Sequence, residues 1–146
     1  PLMGRDSIEP FLEYRDKLNI FLALTSNPGA QDFLIPNKLY VSIAQTIEAM
    51  NEANNCALVV GATKGDYFRE IRAAAPSLPF LVPGVGAQGG SIKDVVRDAA
   101  MPGDWPGLII HVTRGVLPGQ EEKGDPRDTI REKTETWRDL ILAANA

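Results

Sequence analysis

A parallel α/β fold is what this sequence predicts, and three observations predict it. Four short runs, Asn19–Leu24 (NIFLAL), Cys56–Val60 (CALVV), 78–82 and 108–112, are apolar along their length instead of alternating, as strands covered on both faces are. Between consecutive runs lie stretches with apolar residues at helical spacing, the alternation of a parallel sheet with crossover helices. Each run ends in a polar or glycine-bearing turn, and in a parallel sheet those ends share the edge where ligands bind.

Taken in order, Pro1-Leu2-Met3-Gly4 reads as the exit of a strand, followed at once by a helix. Asp6 and Glu9 form a capping-box pattern, with Ile8, Phe11 and Leu12 as the apolar face. The first strand exits at Thr25-Ser26-Asn27-Pro28-Gly29, a turn sequence. Asn37 is placed to cap the next helix, whose buried stripe is Leu39, Ile43, Ile47 and Met50. The second strand ends at Gly61-Ala62-Thr63, and a helix over 66–74 closes at Pro76. The third runs into LVPGVGAQGG (81–90), after which Ser91 opens a helix reaching Ala99 or Ala100. The fourth ends at Thr113-Arg114-Gly115. A polar loop (117–124) follows, then Asp125 as N-cap and Pro126 at the first helical position. Ile130, Trp137, Leu140 and Ile141 are the expected inner face of that last helix, with Trp105 and Trp137 as packing anchors.

Bulk properties narrow the function. The 146 residues suffice for one core, and nothing in the composition divides them into two domains. A formal charge of −4, from 15 basic and 19 acidic residues without a basic run, disfavours nucleic acid as a partner. No apolar run is long enough to predict a membrane span. The single cysteine, Cys56, excludes an internal disulfide and suits a reducing cytoplasm. One cysteine and one histidine exclude a thiolate or imidazole metal cluster, and no carboxylate pattern suggests a hard ion, so no metal is expected.

The candidate site is the glycine loop together with Arg114. Gly84, Gly86, Gly89 and Gly90 lack Cβ, so an anion can approach the main chain, and the following helix start aims its dipole there. Gln88 is the one long polar side chain of the loop. Arg114 is a candidate bidentate phosphate clamp, with a surface arginine paired to a nearby carboxylate as the alternative. Ser26 is a candidate for hydrogen bonding a ligand edge, with simple turn chemistry as the alternative. His111 reads as a packed strand histidine, Cys56 as core, and Lys64 and Asp66 as a solvated loop and cap. Three readings of the loop stay open on these grounds: a single mononucleotide phosphate held between the last two strands, a purely structural turn, and a dinucleotide site, since Gly84-x-Gly86-x-x-Gly89 matches that fingerprint and Arg114 would suit the 2′-phosphate of NADP.

The ordered set Pro1-Leu-Met-Gly-Arg-Asp-Ser, Thr25-Ser-Asn-Pro-Gly, Val60-Gly-Ala-Thr, Leu81-Val-Pro-Gly-Val-Gly-Ala-Gln-Gly-Gly and Thr113-Arg-Gly resembles the orotidine 5′-phosphate decarboxylases, in particular the bacterial branch carrying TSNPG and PGxGAQGG. The resemblance runs from Pro1 into the final helix. It implies the C-terminal half of an eight-stranded β/α barrel: residues 1–146 as one unit, strands five to eight with their helices. It implies orotidylate and UMP as ligands and no cofactor. Ser26 would hydrogen-bond the pyrimidine's amide edge. Gln88 would reach from the loop to phosphate and pyrimidine, Arg114 would grip the phosphate, and the Gly90 and Arg114-turn N–H groups would complete the anion site. Pro83, Gly84, Gly86 and Gly89 would belong to a loop that closes over substrate. A complementary N-terminal half-barrel and, for the intact enzyme, a homodimer are the implied partners. The family's D-x-K-x-x-D pattern, whose lysine protonates C6 as carbon dioxide leaves, occurs nowhere in these 146 residues. No catalytic residue is therefore expected here, and a phosphate-binding half-barrel without catalysis of its own is the alternative.

Overall fold

The computed structural model describes residues 1–86, 88–120 and 122–145. Its strands are β1 (Asn19–Leu24), β2 (Cys56–Val60), β3 (Phe80–Pro83) and β4 (Leu108–His111), all parallel and adjacent in chain order. The helices are α1 (Glu9–Leu12), α2 (Ala30–Phe33), α3 (Leu39–Met50), α4 (Gly65–Ala74), α5 (Ile92–Ala99) and α6 (Pro126–Ala144). Sequential parallel neighbours joined by helical crossovers are the repeating unit of a β/α barrel.

Register and pleat sort the strand residues onto two faces. Phe21, Leu58, Phe80 and Leu108 are register partners in one row, and Leu58 and Phe80 are wholly buried with Ile47, Phe68, Ile71 and Val95 of α3, α4 and α5. Leu22, Val59, Leu81 and Ile109 form the row on the opposite face, where Leu22 and Ile109 are each 38% exposed. The expectation of strands buried on both faces therefore holds for β2 and fails for the edge strands β1 and β4, which alternate in burial.

Several local expectations are met by their hydrogen bonds. Ser91 Oγ accepts from Asp94 N at 3.3 Å to cap α5, and Asp125 accepts from Arg127 N at 2.8 Å to cap α6. Others are corrected. The Asp6–Glu9 capping box does not form: a 3-10 turn at Arg5–Ser7 leads into the short α1, neither with a side-chain cap, and Phe11 is exposed while Ile8 is buried. This segment is instead pinned by buried Asn55, whose Nδ2 donates to Leu12 O (3.1 Å) and Tyr14 O (3.3 Å). Asn37 makes no cap either. It and Lys38 are left-handed (φ 56° and 53°), and Lys38 reaches across to Glu70, which also accepts from the Tyr40 hydroxyl. Along α6 the inward stripe is Thr129, Lys133, Trp137 and Ile141, a strict four-residue spacing, whereas Ile130 and Leu140 face outward. Trp105 is 58% exposed and anchors nothing.

Candidate functional site

The ends of β3 and β4 frame a small hollow of about 140 Å³, lined by Pro83, Gly84, Val85, Gln88, His111, Thr113, Arg114 and Gly115. The loop leaving β3 folds back on itself. Gly89 N donates to Gly86 O (2.7 Å), Gly90 N to Gly84 O (3.2 Å) and Gly86 N to Gly90 O (3.2 Å). Gly84 and Gly86 carry φ of 94° and 77°, the left-handed region a side chain would strain.

The glycines serve a different purpose from the one read off the sequence. A Cβ on Gly84 would lie 2.6 Å from Gln88 Oε1, one on Gly86 2.5 Å from Trp137 Cη2, and one on Gly90 2.4 Å from the Ala62 methyl. At three of the four positions the missing Cβ makes room for the protein itself. Gly89 alone of the four faces open space. The Gly90 N–H is already engaged by Gly84 O.

Open donors lie on the opposite lip. Among the described residues the main-chain N–H groups of Arg114 and Gly115 donate to nothing, while Val116 N closes the turn onto Thr113 O at 3.2 Å. Arg114 is exposed, and no described carboxylate lies within ion-pair distance of it. A guanidinium without an ion-pair partner among the described residues, on the same turn as two N–H groups likewise unengaged, makes an anion-receptive corner.

His111 and Thr113 are the residues that sequence reasoning missed. His111 is an exposed side chain at the last position of β4, with its Nε2 3.0 Å from Thr113 Oγ1, not a packed strand histidine. The available signal was period two: His111 follows Ile109 onto the bare face of the sheet. Ser26 is not brought into this hollow. It sits half-buried at the end of β1, with Thr63 Oγ1 donating to its carbonyl at 3.2 Å and Gly61 packed against it. Three strand spacings separate β1 from β4, so a ligand touching both Ser26 and Arg114 would span roughly 14 Å. Cys56 is buried, and that burial raises its thiol pKa. Among the described residues no three His, Cys, Asp or Glu side chains gather as metal ligands, and no helix is long and apolar enough to cross a membrane. A larger hollow of about 420 Å³ beside Met3, Ile8, Phe11, Leu18 and Ile20 has no Lys, Arg, Asp or Glu in its wall.

Fold and rim together define a β/α-barrel unit with a candidate site at its last two strand ends. Comparison with known proteins shows the family. The model of the orotidine 5′-phosphate decarboxylase / HUMPS family matches residues 1–132, and the chain belongs to that family. It is 43% identical over 121 residues to the orotidine 5′-phosphate decarboxylase of Flavobacterium johnsoniae, covering 80% of this chain and 44% of the relative. It is 35% identical over 151 residues to that of Porphyromonas gingivalis, covering 100% of this chain and 54% of the relative. Among solved structures, Leishmania donovani OMP decarboxylase superimposes with a TM-score of 0.76 at 35% identity, over 97% of this chain and 55% of that one. Leishmania donovani UMP synthase gives a TM-score of 0.78 at 38% identity, over 98% and 32%. The chain thus spans about half the length of the curated relatives it matches.

Proposed function

We propose that this chain is the phosphate- and pyrimidine-binding half of an orotidine 5′-phosphate decarboxylase, an enzyme of the cytoplasm that converts orotidylate to UMP and carbon dioxide. The observation that carries the reading is the meeting of the β3 glycine loop and the Thr113-Arg114-Gly115 turn around one anion-receptive hollow, in a chain of this family. Arg114 and the N–H groups of Arg114 and Gly115 would hold the phosphate. Gln88 would lie between phosphate and pyrimidine, Ser26 would meet the pyrimidine's amide edge, and Gly90 with the Pro83–Gly89 stretch would form the closing loop. In the reaction the bond from C6 to the carboxylate breaks, and the electron pair left on C6 takes a proton. The lysine delivering that proton belongs to a complementary N-terminal half-barrel, seated on the bare sheet face, and the intact enzyme is a homodimer. No cofactor enters this scheme. Phosphate is remote from the breaking bond, so its binding energy acts through loop closure and positioning.

The test joins this chain to its upstream half and follows orotidylate loss. Turnover is expected, and Arg114→Ala should lower kcat/KM by about 10- to 100-fold, the loss of a charge-assisted contact. A joined protein that leaves orotidylate unchanged and fails to bind UMP overturns the reading. The missing D-x-K-x-x-D pattern favours a non-catalytic role for the 146 residues by themselves, and they should show no turnover alone. The dinucleotide alternative finds no support in the family comparison; NADPH should not compete with UMP.

A further inference from the structure

A side chain from α6 lies against the segments that form both lips of the hollow. Trp137, half-buried on α6, donates from Nε1 to Gly115 O at 3.2 Å. A Cβ on Gly115 would lie 2.8 Å from that nitrogen, and one on Gly86 would lie 2.5 Å from the far edge of the same ring. Two glycines on two loops therefore leave space for a single indole, which stands between the loop bearing Gln88 and the turn bearing Arg114. One helical turn earlier, Lys133 donates to Leu117 O (3.0 Å) and pairs with Glu122 (2.7 Å), fastening the segment that leaves the Arg114 turn to the same face. Trp137 and Lys133 lie beyond residue 132, where the family match ends, whereas Gly86 and Gly115 lie within it.

We propose that Trp137 is a positioning residue for the phosphate pocket: its indole sets the spacing between the two lips, so that the Gln88 amide and the Arg114 guanidinium address one anion. This rests on the reading of the hollow as a nucleotide phosphate site. Binding contacts are sensitive to displacements of about 1 Å, and an unfilled indole-sized gap lets either lip shift by that much. The competing role is plain anchorage of α6, which has no fully buried side chain. Ile141, half-buried one turn further along the same stripe, offers the control, since it does not stand between the lips.

The experiment measures UMP and uridine affinities by calorimetry on the chain joined to its upstream half, for the wild type, Trp137→Leu, Trp137→Phe and Ile141→Ala. Trp137→Leu should weaken UMP by about tenfold and uridine by clearly less, lowering the ratio of the two affinities. Amide exchange at Gly86 and Val116, whose N–H groups donate to Gly90 O and Thr113 O, should quicken in the same variant. Trp137→Phe, which keeps a ring in the gap, should recover UMP to within about threefold. Ile141→Ala should lower Tm without changing the ratio of UMP to uridine affinity. Equal loss of both ligands in Trp137→Leu, or an unchanged ratio, overturns the proposal while the pocket reading stands. A wild type that holds UMP no more tightly than uridine overturns the pocket reading, and the assignment of Trp137 with it.

Discussion

The two faces of the sheet are made of the same kind of residue and have met different fates. On the helical side Leu58 and Phe80 are fully buried; on the other, Leu22 and Ile109 remain 38% exposed. Period-two alternation would have marked an open face meant for water, and these strands do not alternate in polarity. The bare row Leu22–Val59–Leu81–Ile109 is a barrel-interior layer without the strands that would fill it from across. The contrast teaches that stability and function are separable here. The helical face holds the unit together, and the rim above the bare face carries the candidate site.

The comparison can be broken most forcefully from the buried side. Phe80→Ala should cost about 3–5 kcal/mol in urea unfolding, the usual penalty for emptying a wholly packed aromatic position. Next is Arg72, whose guanidinium lies 3.7 Å over the Phe80 ring and donates to the carbonyls of Ala99 (2.8 Å), Ala75 (2.9 Å) and Leu78 (2.7 Å). Burial draws its pKa down to about 10, and its hydrogen-bond partners among the described residues are all carbonyls. Arg72→Met strands these carbonyls and should cost about 2 kcal/mol. On the bare face Ile109→Lys should change the stability of the isolated chain by no more than about 0.5 kcal/mol. The wild type is expected to self-associate in sedimentation through this apolar row, and the same variant should abolish that pairing.

The smallest effect belongs to the outer surface of the helical layer, at Asp98. Its side chain is 8% exposed, and Arg97 (2.7 Å) and Arg69 (2.8 Å) hold its pKa down to about 2, with Arg97 the larger influence. A lowered folded pKa stabilises fully above the ordinary value near 3.8 and loses that contribution as pH falls towards about 2. The stability difference between wild type and Asp98→Asn should therefore shrink between those two pH values. A difference that stays constant there would show that the pair contributes nothing through its charge.

By itself, the sequence determined what depends on near neighbours. The strands Asn19–Leu24 and Cys56–Val60 came from unbroken apolar runs, and the caps at Ser91 and Asp125 from side chains that reach an N–H two or three residues on. It also placed Gln88 and Arg114 at neighbouring strand ends, because alternating β/α order leaves a parallel sheet no other edge for them. Tertiary structure alone decided the rest. It chose Trp137 over Trp105 as the anchor, turned His111 out to the rim, replaced the Asp6 cap by the Asn55 hydrogen bonds, and filled the glycine positions with Gln88, Trp137 and Ala62. Each of these matches groups distant in the chain or on different elements, and a missing Cβ carries no record of which atom will occupy its place.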